Sequence, residues 1–66
     1  MDLERELDRL VAQLADEHPA FPPATVARLV ARTVAEFEDT PTAALLPVVR
    51  RAVAERLRYA ENLPVA

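Results

Sequence analysis

The residues of this chain that could do chemistry are few, and their spacing is unspecific. The single histidine, His18, follows Asp16 and Glu17, and a second acidic group, Glu36, Glu38 and Asp39, lies further on. Both trios have donor types that bind metals. Neither has a spacing such as HExxH, which sets two imidazoles on one helix face. Zinc draws on cysteine and histidine, and His18 is the chain's only residue of either type. Nucleophilic catalysis through His18 would need a serine or cysteine to activate, and neither occurs. The hydroxyls present are Thr25, Thr33, Thr40, Thr42 and Tyr59. Three of these threonines stand at helix starts, where capping accounts for them. Loops that cradle phosphate need glycine, which is absent. The expectation is a protein that is not an enzyme and has no metal or cofactor site.

The remaining chemistry is charge. Eleven acids face eight arginines, with no lysine, for a net charge of −3. Residues 1–40 hold nine of the acids and four arginines, whereas residues 41–60 hold Arg50, Arg51, Arg56 and Arg58 against Glu55 alone. Such asymmetry can steer the basic end onto an acidic partner, including the acidic end of a second copy. It also raises an alternative, a small helix-turn-helix-like nucleic-acid-binding regulator using Arg50, Arg51 and Arg58. Recognition helices of that type mix arginine with Asn, Gln and Ser to read base edges. Here the polar side offers arginine and Glu55 only, so the solvated, ion-pairing reading is preferred.

Three helices must position these groups, at about 2–17, 23–38 and 41–61, in a single domain spanning 1–66. In the first, Leu3, Leu7, Leu10 and Leu14 recur at helical spacing, with Val11 beside them and acids in the first turn, where the helix dipole favours them. It should stop at His18, because a residue before proline avoids the α region. Pro23 suits the first position of the second helix, which makes Phe21 and Val26 the two ends of a hydrophobic staple. That second helix carries Val26, Leu29, Val30, Thr33 and Phe37 on one side and a flank of Ala27, Ala31, Val34 and Ala35. Its apolar arc is wider than one neighbour requires.

The densest apolar pattern is the stretch Leu45–Leu57, where Leu46, Val49, Val53, Leu57 and Ala60 are expected to form the core face. Thr40 is the expected N-cap, with Pro41 at the first helical position. Pro47 falls inside this helix, which is therefore either bent there or restarted near Leu46, the single bent element being preferred. At the far end Asn62 in a left-handed conformation, Leu63 folded back on Leu57, and Pro64 would make a Schellman stop. A second strip, Val48, Ala52 and Tyr59, flanks the core face. Arg56 projects from inside the apolar arc and must be paired or snorkelling. With the first and third helices parallel, Asp16 and Glu17 are its expected partners, within or between chains.

A 66-residue chain buries only about 60% of the surface it exposes when unfolded. Without disulfide or metal, association is the support left open. No run approaches the length of a membrane span, and the acidic start MDLERELD is the opposite of a signal-peptide n-region, so a cytoplasmic protein is expected.

The run FPPATVARLVARTVAEFED, followed by LLPVVRRAVAERL, resembles the actinobacterial three-helix bundle dimerisation domain family. Its members occur alone or fused ahead of arsenate-reductase-like low-molecular-weight phosphatases. The resemblance is carried by Phe21 and Pro22, Thr25 and Val26, Phe37, the segment Leu46 to Val49, and the pair Arg56 and Leu57. It departs from the family pattern at Val49, where leucine is usual, and at Arg50 or Arg51, where an acid is. What it implies is a non-enzymatic homodimer, accessory to some protein partner, and a proline shared at position 47. The combined expectation is an all-α, up-down-up three-helix bundle that self-associates through Ala27, Ala31, Val34, Val48, Ala52 and Tyr59.

Overall fold

The computed structural model describes residues 2–63. Its first helix, α1 (Leu3–Glu17), starts from Asp2, whose extended backbone leaves the side chain free to accept from the Glu4 N–H at 3.1 Å. That bond satisfies one of the helix's unpaired first-turn donors. At the other end His18 leaves helical geometry (φ −129°, ψ 66°), as the following proline requires, and its N–H closes on the Leu14 carbonyl at 2.9 Å.

A short turn held by Phe21 N–H on the His18 carbonyl leads into α2 (Pro23–Glu36). Pro22 is the cap and Pro23 the first helical residue, so Phe21 and Val26 occupy the staple register. Val26 is fully buried, and Phe21 is half-buried against the core. The helix ends two residues earlier than its periodicity suggested. Phe37 breaks out (φ −110°, ψ 27°), its N–H shared between the carbonyls of Thr33 and Val34, and its ring packs on the core.

The third helix, α3 (Thr42–Glu61), corrects the expectations for its two ends. Pro41 is the cap in place of Thr40, and no side chain caps this end; the Pro41 carbonyl accepts the Ala44 N–H at 2.9 Å. Of the two alternatives at Pro47, the structure has the preferred single element, with the helix running through the proline without a restart at Leu46. Proline deprives the Ala43 carbonyl of its helical donor, but both residues are exposed and water can take the donor's place. At the C-terminal end Asn62 is right-handed (φ −96°, ψ 0°), so no left-handed stop forms; its N–H is shared between Arg58 and Tyr59 carbonyls. Leu63 is 48% exposed and does not seal the end. Pro64 lies outside the described residues.

The architecture is an all-α three-helix bundle. Leu3 of α1 lies beside Thr42 and Leu46 of α3 at one end, and His18 meets Glu61 at the other, so α1 and α3 run parallel and α2 returns between them. Leu10 and Leu14, Val26 and Val30, and Leu45, Val49, Val53 and Leu57 make the core. On α3 the core face is rotated from its expected setting: Leu45 is 6% exposed while Leu46 is only partly buried and Ala60 is exposed. The spacing of four from Leu45 through Val49 and Val53 to Leu57 winds the stripe slowly round α3, as a helix crossing two neighbours at an angle requires. The elongated bundle, 42 × 20 × 15 Å, leaves much of each helix facing solvent.

Candidate interaction surface

Thr33 is the one buried polar residue among those described. Its Oγ1 donates to the Leu29 carbonyl at 2.8 Å and accepts from Arg56 Nη1 at 3.0 Å. The same guanidinium forks onto Glu36, Nη1 to Oε2 at 2.6 Å and Nη2 to Oε1 at 3.1 Å. This bidentate arrangement fixes the guanidinium plane as well as its position. The Arg56 hydrogen bonds hold the Glu36 carboxyl below its ordinary range, against a smaller opposing effect of desolvation, and the charges of Arg56 and Arg32 add to the lowering. Reciprocally, Glu36 raises the Arg56 guanidinium.

Within the chain, therefore, Arg56 pairs with Glu36 and not with Asp16 or Glu17. Glu17 instead meets Arg50 at 3.5 Å. Arg50 and Arg56 are six residues apart, which at 3.6 residues per turn puts them about 120° apart around α3. Arg50 leaves the flank that faces α1, and Arg56 leaves the flank that faces α2. The sequence reading missed this contact; the signal that could have found it is that Thr33 and Arg56 are both polar groups set inside the apolar arcs of antiparallel neighbours. His18, the chain's one imidazole, makes a structural contact: Nδ1 lies 2.5 Å from Glu61 Oε1, tying the ends of α1 and α3 together. No group of three or more potential metal donors clusters among the described residues.

The six residues expected at a dimer contact do not share one surface. Ala27 and Ala31 each stand two residues from Leu29, about 200° round α2. Leu29 faces α3, lining a cleft with Leu57 and Ala60, so the two exposed alanines lie on the far flank with half-buried Val34 beside them. Ala52 and Tyr59 instead line a shallow hollow on α3 with Glu55 and Arg56, and Val48 continues the strip one turn back. Tyr59 is 70% exposed, an aromatic ring with no role in the core. A single partner helix cannot cover both flanks.

Of the remaining arginines of α3, Arg58 makes no ion pair among the described residues. Arg50 is held by Glu17 and Arg51 by Glu55 at 3.4 Å, both in exposed pairs. No described helix is long and apolar enough to cross a membrane. Scans against protein-family models, curated proteins and solved structures found no match. Surface geometry is thus what bears on function.

Proposed function

We propose that this chain is a non-enzymatic interaction module that forms a homodimer through α3, with Val48, Ala52 and Tyr59 at the centre of the contact. The observation that carries this reading is Tyr59, a large aromatic side chain 70% exposed beside Ala52 on an apolar strip. Aromatic rings bury much area at little conformational cost and recur at the centres of interfaces. Small Ala52 would let a second helix approach closely, and Glu55 and Arg56 would form the polar rim. The small core supports the same reading, since association adds burial that a domain of this size lacks. So does the resemblance to a dimerisation domain, which further suggests service to a larger protein partner.

Sedimentation equilibrium over a wide concentration range tests it. A mass twice that of the chain, persisting on dilution, is the expected result; a folded monomer at every concentration would remove the proposal. The nucleic-acid alternative is less supported, because the heads of Arg50 and Arg51 already meet carboxylates. It would require duplex binding that falls steeply with salt, and none is expected.

A further inference from the structure

The cleft between α2 and α3 has a chemistry that self-association through Tyr59 does not use. Phe21, Leu29, Leu57 and Ala60 give it an apolar lining, Arg28, Arg32 and Arg56 stand at its margin, and its volume is about 310 Å³. No acid lines it. Arg56 is neutralised by its fork onto Glu36. Arg28 and Arg32 make no ion pair among the described residues. Glu36 is the one carboxylate acting on this margin, bonded to Arg56 and at longer range attracted by Arg32, so three guanidiniums share a single negative charge and the hydrophobic hollow keeps a net positive rim in a chain of net charge −3.

We infer that this cleft docks an acidic amphipathic helix of a partner protein, which places one large apolar side chain in the hollow and carboxylates one turn apart on Arg28 and Arg32. The sign of the charge selects an anion, and the spacing selects a helix. Arg28 and Arg32 are four residues apart on α2, about 6 Å along its axis, and carboxylates at i and i+4 of a helix laid alongside repeat at the same distance. Each pair can be bidentate. The cleft is also open along its length, so a small free carboxylate would leave much of itself in water, whereas a helix covers both the hollow and its margin. The chain's own acidic helix is poorly suited as occupant from a second copy, because Leu3, Leu7, Leu10 and Leu14 of α1 already pack on its own core.

The test uses the full chain and two synthetic alanine-based helices. One carries a central leucine flanked by glutamates four residues apart, and the other carries lysines in their place. Fluorescence anisotropy at low salt is expected to show binding of the glutamate peptide alone. In the double variant Arg28→Glu/Arg32→Glu, with folding checked by circular dichroism, that affinity should drop by about tenfold or more and the lysine peptide should bind instead. Val48→Glu should leave glutamate-peptide binding unchanged, so that loss of the dimer and loss of this site are read separately. The inference is overturned if the two peptides bind alike, if neither binds, or if the charge reversal dissociates the homodimer, which would make a second copy the occupant.

Discussion

Arg56 of α3 donates to the hydroxyl of Thr33 at 3.0 Å, and Thr33 in turn donates to its own helix at the Leu29 carbonyl. A fully buried hydroxyl on the core face of α2 is thereby satisfied on both sides, and no buried side-chain polar atom is left unpaired among the described residues. The Leu29 bond lies within α2 and keeps the hydroxyl paired in any facing, whereas the bond from Arg56 forms only in this one and favours it by about 1 kcal/mol. Glu36 holds the other side of the guanidinium and keeps it aimed at Thr33.

The Glu36 contact should appear as a pH dependence. Arg56 lowers the folded-state pKa of this carboxyl, so its stabilising effect is fully present above the unfolded value, about 4.3, and is lost as pH falls through the lower folded value. Thermal melts of wild type and Glu36→Gln are expected to differ at neutral pH and to converge below about pH 4. Added salt should narrow the gap, since the pair is half exposed. A gap that stays constant through the acid range would mean that the carboxylate charge contributes nothing.

The rotated core face of α3 separates two adjacent leucines. Leu45→Ala should cost about 2 to 5 kcal/mol in urea unfolding, enough to threaten a domain this small, whereas Leu46→Ala should cost less than about 1.5 kcal/mol. The reverse order would return the core to Leu46.

Pro47 occupies an exposed interior position of α3. Pro47→Ala restores a backbone donor to the Ala43 carbonyl and removes the ring clash, while giving the unfolded chain more freedom. A net gain of about 1 to 2 kcal/mol in denaturant unfolding is expected. No gain would mean that the proline's local geometry serves the packing of Leu45 and Val49.

Val48→Glu and Ala31→Glu distinguish the two flanks. If self-association uses the strip next to Tyr59, the first substitution lowers the sedimenting mass toward one chain and the second leaves it unchanged. Loss of the dimer in Ala31→Glu alone would move the contact to the outer flank of α2.

Tying His18 to Glu61 should matter for the ends of the bundle rather than its centre. His18→Ala is expected to speed amide exchange in the last turns of α1 and α3, with protection at Val30 and Val53 little changed. Uniform loss of protection would assign the contact a global role.

The sequence by itself determined that there are three helices, that Pro19 ends the first and Pro23 begins the second, and which leucines and valines face inward on α1 and α2. Those features are local: spacing, the missing N–H of Pro23 and the constraint on His18 before Pro19 act whatever the neighbours do. It also showed that Thr33 and Arg56 were polar groups set in apolar arcs. Only the tertiary structure decided that they meet each other, that Glu17 goes to Arg50, and that the alanines of α2 and the Tyr59 strip look out on different sides. The facing of Leu45 over Leu46, the right-handed Asn62 and the Arg28–Arg32 cleft belong to the same class. Each depends on how far one helix is rotated about its axis against another. A wide apolar arc leaves that rotation open by tens of degrees, and the packing of all three helices together closes it.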